Sequence, residues 1–371
     1  MQSRNRNAAS LLAGINQLIS KLYALPLRFV LFFEGHLSSS IPVFDQARDA
    51  FGRYVHSRLS CYLKSRSQRR LQTVVLNTCY LSPGLASLAH FADWTLQRQG
   101  FIGDLSKQPN LVYVKADFEY LESFYRRYLP LIRADQRFVL VTGDTDCTLP
   151  FQSDQRWAAH RPSQIELLRR IHDDPRVRCW FAQNLDFAWP KHRPLPLGYW
   201  EHGGTRLYRS VLARSEPIKL RDKPLKVLCA HRVREGRQWN KRRRVTERAL
   251  AEWRSCVDYF ENIDPASFFD CISAYPFVMC VGGGGLDPSP KAWTALLAGS
   301  IPIIERNPTT EAYRDLPVIF VDSWDALLLN QQVLLGWLKQ HEARFSDREL
   351  RREVLRQLSM GYWLNKVVGS H

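Results

Sequence analysis

The sequence lacks the cysteine spacings that zinc sites and redox-active pairs require. Its eight cysteines form no CxxC pair and no short-spaced cluster with histidine. A structural zinc site and a thioredoxin-like pair are therefore not indicated, and buried free thiols are expected instead. The sequence also lacks internal repeats and low-complexity tracts.

Long hydrophobic runs are missing as well. No stretch reaches the roughly 18 uninterrupted apolar residues of a membrane span, so the chain is not expected to cross a bilayer. The most apolar segment near the start, Tyr23–Glu34, is interrupted by Arg28 and is not followed by a small-residue cleavage site. A signal peptide is therefore not expected, and we predict a cytoplasmic protein.

The overall composition is that of a protein with a buried core. Of the 371 residues, 45% are hydrophobic, 12% are aromatic and 24% are charged, which excludes a disordered or fibrous chain. At roughly 100–200 residues per domain, this length favours two domains.

The net charge of +16 is concentrated in two segments. Residues 1–70 hold 11 Lys and Arg against 3 Asp and Glu, and residues 219–244 hold 11 against 2, whereas the rest of the chain is nearly balanced. Such segments are compatible with nucleic acid, with anionic lipid or with a phosphorylated ligand. Nucleic acid is not favoured, because the sequence contains no RNP, KH, zinc-finger or helix-turn-helix pattern.

The first basic segment, residues 1–70, predicts peripheral binding to an anionic membrane surface at the inner face. Its excess of positive charge lies beside the apolar residues Tyr23–Phe33. Each basic residue near such a surface contributes about 1 kcal/mol, and apolar insertion adds to this attraction. The alternative is that Leu25–Phe33 is a buried strand or helix of the first domain.

Over residues 71–215, short apolar runs alternate with amphipathic segments, which is typical of βαβ units and a parallel sheet. The predicted strands are LQTVVLN, LVYVK, RFVLVTGD and VRCWFAQN. The predicted helices lie around Ala86–Gln97, Phe118–Leu129 and Pro162–His172. We interpret this half as a Rossmann-like domain that is followed by a polar linker at Ser215–Pro224.

A second alternation over residues 225–345 predicts another Rossmann-like domain. Its predicted strands are LKVLCA, YPFVMCV, SIPIIE and LPVIFV, and its predicted helices are NKRRRVTERALAEW, SPKAWTALLAG and SWDALLLN. Residues 346–371 are predicted to form a C-terminal helix across the two domains, because apolar residues recur at helical spacing over Asp347–Trp363. The predicted fold class is thus α/β, with two Rossmann-like domains facing a cleft.

The stretch Ala274–Glu305 carries the strongest chemical signal. A buried strand leads into four glycines, then Asp287 and the start of a helix. The glycines are Gly282, Gly283, Gly284 and Gly285. Glycine lets backbone N–H groups approach a ligand closely, and a helix N-terminus adds donors and partial positive charge, so this stretch suits a diphosphate, with Lys291 adding a cation. The alternative is a tight strand-to-helix turn without a ligand.

These residues resemble a known family. The run F-V-x-C-x-G-G-G-G-L-D-x-x-x-K-A-W-x-A-L-L-A-G-S-I-P-I-I is similar to the donor-domain signature of exostosin-like glycosyltransferases. FVLVTGDTD at Phe138–Asp146 and WFAQN at Trp180–Asn184, followed by PLPLG, resemble acceptor-domain elements of bacterial members. The resemblance covers about residues 110–325 and implies two Rossmann-like domains of GT-B type.

The resemblance implies transfer of a sugar from a nucleotide diphosphate-sugar, as co-substrate, to a glycan or lipid-linked acceptor. Inversion is expected, with no metal and no cofactor. The implied donor site consists of the four glycines, Asp287, Lys291 and Thr294. Lys291 stands where the family usually has Arg, and Thr294 stands where it usually has a Glu that holds the ribose. Because Thr294 makes fewer such bonds, a catalytically degraded relative that binds glycans or acts as a scaffold is the first alternative.

The acceptor side is predicted from polar residues that follow buried strands. Asp144 and Asp146 follow one strand, where the carboxyl ends of parallel strands open into a ligand crevice. Inverting transfer needs a general base, and we predict Asp146 in that role, with Asp144 and Asn184 orienting the acceptor. For Asp144 the alternative is a turn or a helix cap. Glu201 and His202, in YWEHGG, are further candidates for acceptor binding.

The second basic segment contributes two more donor candidates. Arg232 and Arg237 follow the strand LKVLCA, in a loop that faces the cleft of a two-Rossmann transferase, and are expected to neutralise a diphosphate leaving group. Lys241–Arg244 is interpreted as a solvated helix face, because consecutive helical residues point in different directions. A nucleic-acid-binding protein, indicated by charge alone, is the second alternative function.

Overall fold

The computed structural model describes residues 87–199, 217–264 and 267–369. In them the chain is a mixed α/β protein with a six-stranded sheet and a five-stranded parallel sheet, compatible with two Rossmann-like domains. The strands are β1 Trp94–Gln97, β2 Gly100–Gly103, β3 Leu111–Lys115, β4 Phe138–Gly143, β5 Val177–Ala182, β6 His192–Pro194, β7 Val227–Ala230, β8 Val257–Phe260, β9 Phe277–Met279, β10 Ile301–Glu305 and β11 Ile319–Val321. The α-helices are α1 Phe118–Ser123, α2 Pro162–Asp173, α3 Asn240–Leu250, α4 Phe268–Ser273, α5 Pro290–Ala298, α6 Gln331–His341, α7 Ala343–Ser346, α8 Arg348–Gln357 and α9 Met360–Val368.

The first sheet has the strand order β2-β1-β3-β4-β5-β6, and all neighbouring strands are parallel except β1 and β2. Side chains of β4 alternate between two hydrophobic clusters, with Val139 and Val141 on one face and Phe138 and Leu140 on the other. Both faces of the sheet are therefore covered, which explains why its strands are continuous apolar runs. The predicted strands LVYVK, RFVLVTGD and VRCWFAQN are confirmed as β3, β4 and β5.

The helix predicted around Ala86–Gln97 is wrong. A short 3-10 turn is followed by β1, which pairs with β2 across the two-residue turn Arg98–Gln99, so that β2 begins at Gly100. Gly100 has a φ of 86°, a conformation that favours glycine. The Oδ2 atom of Asp93 accepts the N–H groups of Asn110 and Leu111 at 2.8 and 3.1 Å, and these bonds fix the start of β1 beside β3.

The second sheet is entirely parallel, with the order β11-β10-β9-β7-β8. Counted along the chain, its strands are arranged 2-1-3-4-5, a doubly wound order that reverses between β7 and β9. Ligands of such sheets bind at the carboxyl ends of the strands beside this reversal. The strands predicted for this half are confirmed as β7, β9, β10 and β11, whereas the short, partly polar strand β8 is an addition.

The helix predicted over SWDALLLN, residues 323–330, is also wrong. Arg248 of α3 donates to three backbone carbonyl oxygens of residues 324–327, at 2.5, 2.8 and 3.0 Å. These carbonyl groups therefore have partners outside any helix of their own. The helix that follows, α6, begins after Asn330, whose side chain accepts an N–H group of its first turn.

The single C-terminal helix predicted for residues 346–371 is replaced by two helices, α8 and α9. Ser359 is extended, and its hydroxyl accepts the N–H group of Tyr362 at 3.2 Å, so it ends one helical segment and caps the next. Arg351 of α8 donates two bonds of 2.8 Å to the last turn of α5. Arg178 of β5 contacts the last carbonyl of α9 at 3.5 Å, so the two C-terminal helices together contact both halves.

The two halves are in direct contact. One hydrophobic cluster joins a face of the first sheet, which includes Tyr113 and Phe181, with the second sheet and the C-terminal helices. In addition, the hydroxyl of Thr309, beyond β10, donates to the carbonyl oxygen of Leu185, beyond β5, at 3.0 Å. The regions beyond the carboxyl ends of β5 and β10 therefore meet.

Within the described residues, no helix is long and apolar enough to cross a membrane. The predicted basic extension of residues 1–70, with its apolar segment Tyr23–Phe33, lies outside the described residues. The predicted strand LQTVVLN at Leu71–Asn77 lies outside them as well. The membrane association of this segment therefore stays a prediction.

Candidate functional site

The site is built around the glycine loop, Gly282–Gly285, which lies between β9 and α5. Side chains of other segments approach three of its glycines, Gly283, Gly284 and Gly285, closely. A Cβ atom at Gly284 would collide with the side chains of Asp146 and Arg156. At Gly285, where φ is 64°, it would lie 2.5 Å from Oδ1 of Asn184. The glycine loop therefore lies directly against the loops that follow β4 and β5.

Three consecutive backbone N–H groups at the end of the glycine loop donate to side chains of the first half. The N–H group of Gly285 donates to Oδ2 of Asp154 at 2.7 Å. The next two, of Leu286 and Asp287, both donate to Oδ1 of Asn184, at 2.9 and 3.0 Å. Successive N–H groups that converge on oxygen atoms are one way in which a protein backbone binds anions. One of the two acceptors here is a carboxylate.

Lys291 lies in the first turn of α5, the helix that follows the glycine loop. Its Nζ atom donates to the carbonyl oxygens of Ala230 and Met279, the last residues of β7 and β9, so it lies at the reversal of strand order. The residue is 7% exposed, and burial lowers the pKa of its ammonium group to about 8. Among the described residues, no carboxylate forms an ion pair with it.

Three buried side chains near Lys291, those of Cys229, Cys280 and His231, are uncharged near pH 7. Burial raises the pKa of the Cys229 and Cys280 thiols to about 12. Burial, reinforced by the charges of Lys291 and Arg242, lowers the pKa of His231 to about 3, so this imidazole is neutral near pH 7. The charges of Lys291 and Arg242 are therefore not offset by these neighbours.

Arg242 reaches the glycine loop from α3. Its guanidinium donates to the carbonyl oxygens of Val281 and Gly282 at 3.3 and 3.2 Å, and it lies over the ring of Trp239, 5.1 Å from the centroid. Burial lowers the pKa of this group to about 10. Like Lys291, it forms no ion pair with a carboxylate of the described residues.

The interpretation of Lys241–Arg244 as a solvated face is wrong for Arg242. The buried residues Trp239, Val245 and Ala249 recur at spacings of four to six residues, and Arg242 falls on the same stripe. A guanidinium on this stripe points toward the second sheet, where the carbonyl groups of the glycine loop accept its hydrogen bonds.

Other basic side chains of α3 also form ion pairs or hydrogen bonds with residues of the same chain. Lys241 forms an ion pair with Glu305 of β10. Arg244 contacts Asp325 through two bonds of 3.1 and 3.2 Å, and Arg248 binds the backbone carbonyl groups described above. Much of the charge of the second basic segment is therefore used in intramolecular contacts.

Arg156, in the loop after β4, joins several parts of the site. Its guanidinium contacts Asp154 at two points, 3.0 and 2.7 Å, and donates to Oδ2 of Asp146 at 2.8 Å. It also lies over the ring of Trp157, 4.4 Å from the centroid, and 5.8 Å from the ring centroid of Trp239. The hydrogen bond to Asp154 is the main reason why the pKa of Arg156 is raised.

Asp154 is an ionised carboxylate in a buried place. Its side chain is fully buried, and burial opposes ionisation. Hydrogen bonds from Arg156 and from the N–H group of Gly285 outweigh that effect and lower the pKa of the carboxyl below its usual value. The glycine loop therefore already holds a negatively charged group of the chain itself.

Asp287 ties the glycine loop to both halves. Its carboxylate accepts the N–H group of Leu197 at 2.9 Å and the hydroxyl of Tyr313 at 3.1 Å. Burial raises the pKa of this carboxyl to about 6. The group is held in place by these bonds, and its predicted contact with a donor stays a prediction.

The predicted acceptor residues follow β4 and β5. Asp144 has a φ of 63°, and its N–H group donates to Gln183 at 2.9 Å. The side-chain amide of Asn184 donates to the carbonyl oxygen of Thr145 at 2.9 Å. The side chain of Asp146 is 47% exposed and is the most accessible carboxylate against the glycine loop. The structure therefore brings Asp146 and Asn184 to this loop, with Asp144 at the end of β4.

The remaining predicted residues are placed differently. Thr294 is buried, and its hydroxyl donates to the carbonyl oxygen of Pro290 at 3.0 Å, within α5. The side chains of Arg232 and Arg237 are exposed. Glu201 and His202 lie outside the described residues.

Four residues of the site are not predicted from the sequence: Asp154, Arg156, Gln238 and Arg242. Gln238 links the halves, since it donates to the carbonyl oxygen of Gly283 at 2.7 Å and accepts the N–H group of Gln155 at 2.9 Å. For Arg242, the helical spacing from Trp239 was an available signal. Asp154 and Arg156 lie in an irregular segment and Gln238 lies in the 3-10 turn Arg237–Trp239, and none of the three falls in a periodic pattern.

The site offers backbone N–H groups and guanidinium and ammonium groups around one loop, a set that suits a diphosphate. Within the described part of the chain, no three His, Cys, Asp or Glu side chains are grouped as metal ligands. No protein-family model and no curated protein matches this chain.

Proposed function

We propose that the chain is a glycosyltransferase that moves a sugar from a nucleotide diphosphate-sugar to a glycan or lipid-linked acceptor, with inversion and without a metal. One observation supports this most directly. Three successive N–H groups at the end of the glycine loop point at side-chain oxygen atoms, the half-buried Arg242 binds carbonyl groups at the start of the loop, and the buried Lys291 lies at the strand reversal. Neither cation forms an ion pair with a carboxylate of the described residues, and a diphosphate would supply such a partner.

In this proposal the nucleotide diphosphate is the leaving group. As its bond to the sugar breaks, negative charge grows on the leaving phosphate oxygen. Arg242 and Lys291 stabilise that charge from a buried layer, where such interactions are stronger than in water. The N–H group of Gly285 adds a donor once its bond to Asp154 is released, whereas those of Leu286 and Asp287 stay bound to Asn184.

Asp146 is the proposed general base. It lies against the glycine loop at Gly284 and is half-exposed, so an acceptor hydroxyl can reach it. Arg156 holds its Oδ2 atom, and Oδ1 accepts the proton as the hydroxyl attacks the anomeric carbon. Asn184, whose Oδ1 atom holds two N–H groups of the loop, keeps the acceptor side and the donor side together.

One observation favours a second candidate, a glycan-binding or scaffold protein without transfer activity. The hydroxyl of Thr294 is used within its own helix, so it offers less to a ribose than a carboxylate at this position would. Donor binding would then persist, and turnover would be absent.

The first test is nucleotide binding. A thermal-shift panel of nucleoside diphosphates and nucleotide sugars should show stabilisation, since a ligand at about 100 times its Kd stabilises the fold by roughly 2.7 kcal/mol. Arg242→Met should weaken binding about 10- to 100-fold, because a charge-assisted contact is lost. Arg244→Met, a matched change on the same helix, should leave binding unchanged. Equal binding by Arg242→Met and the parent protein contradicts the proposed site.

The second test separates the enzyme from the binding protein. Hydrolysis of the donor or transfer to an acceptor should be measurable in the parent protein. Asp146→Asn should lower turnover by about 10²–10⁴-fold and leave the donor Kd nearly unchanged, because only the proton acceptor is removed. Donor binding without any turnover in the parent protein would favour the second candidate.

A further inference from the structure

We propose that Asp154 is a built-in competitor for the phosphate site, and that a bound diphosphate must displace its carboxylate from the glycine loop. The inference rests on the proposed function, because it concerns the same loop. It adds a regulatory contact between the two halves that the predicted donor site does not contain.

The contact has the features of a bound anion. Oδ2 of Asp154 accepts the N–H group of Gly285 at 2.7 Å, and the guanidinium of Arg156 binds the same carboxylate at two points. Backbone N–H groups and a guanidinium fork are also the usual partners of phosphate oxygens. Asp154 and Gly285 are 131 residues apart in the sequence, so the contact belongs to the meeting of the two halves and not to a local turn.

A second Asp-x-Arg pair in the chain shows which hydrogen bonds such a pair forms when no glycine loop lies beside it. Asp174 and Arg176 make the same contacts, with the backbone N–H group and Nε of Arg176 at 2.9 Å from Oδ1 and Nη2 at 2.8 Å from Oδ2. In Asp154 and Arg156 the corresponding distances are 3.0, 3.0 and 2.7 Å. The bond from Gly285 is therefore an addition to a pair that forms by itself.

The charges around the glycine loop are balanced before any ligand enters. The cations are Arg156, Arg242 and Lys291, and the carboxylates are Asp146, Asp154 and Asp287. A diphosphate brings at least two further negative charges into this group. A carboxylate that stays within hydrogen-bond distance of it would repel it, and one N–H group cannot fully serve two strong acceptors.

Asp154 is the carboxylate that must move. Asp287 holds other groups of the fold, and Asp146 is at the exposed side of the loop and touches none of its N–H groups. Departure of Asp154 frees the N–H group of Gly285 and lets the guanidinium of Arg156 turn to the phosphate. The exchange thus replaces one anion by another on the same donors.

The test compares the parent protein with Asp154→Asn and Asp174→Asn, using inorganic pyrophosphate as the probe in calorimetric titrations. Asp154→Asn removes the competing charge, so the Kd of pyrophosphate should fall about tenfold, which corresponds to about 1.4 kcal/mol. The unliganded variant should at the same time melt at a lower temperature, because a contact between the halves is weakened. A residue with only a structural role would lower stability without tightening binding.

Asp174→Asn is the matched control, since it breaks the same kind of pair away from the loop. It should lower the melting temperature and leave the Kd of pyrophosphate unchanged. Unchanged or weaker binding by Asp154→Asn overturns the inference and leaves the proposed function standing. If neither the parent protein nor the variants bind pyrophosphate or any nucleoside diphosphate, the proposed function fails together with the inference.

Amide hydrogen exchange on the parent protein tests the displacement of Asp154 without a variant. The backbone N–H group of Arg156 donates to Oδ1 of Asp154, and the backbone N–H group of Trp157 donates to the carbonyl oxygen of Asp154 at 3.2 Å. Pyrophosphate should make the peptide that contains these residues exchange faster, while the glycine loop exchanges more slowly. Slower or equal exchange in both segments, with pyrophosphate bound, overturns the inference.

Discussion

Helix α5 has a buried cation near each end, and the helix dipole stabilises one of them and destabilises the other. Arg351 donates to the carbonyl oxygens of Leu296 and Leu297, at the C-terminal end. Lys291 lies in the first turn and donates to carbonyl oxygens at the ends of β7 and β9. The helix dipole favours a cation at the C-terminal end and disfavours one at the N-terminal end.

This difference separates a residue that serves the fold from one that serves a ligand. Arg351 is the partner of the buried carbonyl group of Leu297 and strengthens that of Leu296, which otherwise accepts only the N–H group of Gly299 at 3.3 Å. Lys291 is buried in an unfavourable field, and burial lowers its pKa to about 8. A cation kept in such a position is explained if an anion binds above it, at the glycine loop.

The largest expected effect is at the C-terminal end. Arg351→Met should lower the free energy of unfolding by about 2 kcal/mol. The buried carbonyl group of Leu297 loses its partner at a cost of roughly 1–3 kcal/mol, and the helix dipole, which favours a cation at this end, offsets the burial cost that lowers the pKa of Arg351 to about 10. Urea denaturation measures the change. The folded variant should bind nucleoside diphosphates as the parent protein does. A loss below about 1 kcal/mol would contradict the structural role of Arg351.

At the other end, Lys291→Met should change ligand binding more than stability. Removing the buried charge relieves a desolvation cost, while the loss of two carbonyl contacts has a similar size and the opposite sign, so the net change should be within about 1 kcal/mol. Nucleoside diphosphate binding should weaken about 10- to 100-fold, as titration calorimetry would show. A variant as unstable as Arg351→Met, with unchanged affinity, would show that the two ends do not differ.

The smallest expected effect is a pH dependence at the Lys291 end. His231 has a pKa of about 3 in the folded protein against 6.5 as the ordinary value, so the unfolded chain binds the proton first. Its contribution to stability is therefore complete above pH 6.5 and is lost as the pH falls toward 3. Between pH 7 and 5.5 the loss should be about 1 kcal/mol.

Urea denaturation at the two pH values measures this loss. His231→Gln should reduce the pH dependence by that amount, whereas Arg351→Met should retain it, because an arginine does not titrate in this range. His192, which burial also brings to a pKa of about 3, should contribute a separate loss in the first sheet. An unchanged pH dependence in His231→Gln would contradict the assignment.

The strands β3, β4, β5, β7, β9, β10 and β11 were predictable because their residues are apolar runs, whereas β1, β2, β6 and β8 were not predicted. Those runs reflect parallel sheets covered on both faces, as the two clusters around β4 show. The failures came where single contacts override local pattern. Gly100 turns Trp94–Gln97 into a hairpin strand, and Arg248 takes the carbonyl groups that a helix at residues 323–330 would need.

The glycine loop was predictable from its own sequence, and its partners were not. A row of glycines before a helix predicts a ligand-binding loop from local sequence alone. The contacts of Asp154 and Arg156 with this loop form only when the two halves meet, so local sequence does not predict them. Neither lies in a periodic segment, so no spacing marks them. Arg242 is an intermediate case, because its spacing from Trp239 marks the buried side of α3 while its basic neighbours conceal it.

The two thiols near Lys291 allow the rate at which this buried layer opens to be measured. With a pKa of about 12, Cys229 and Cys280 are thiolates to roughly one part in ten thousand at pH 8, and both are almost fully buried. An alkylating reagent therefore reaches them only when β7 and β9 separate or the glycine loop lifts. Their rate of alkylation therefore measures how often these openings occur. A diphosphate bound near Lys291 would keep this region closed for as long as it stays bound, and would slow the alkylation.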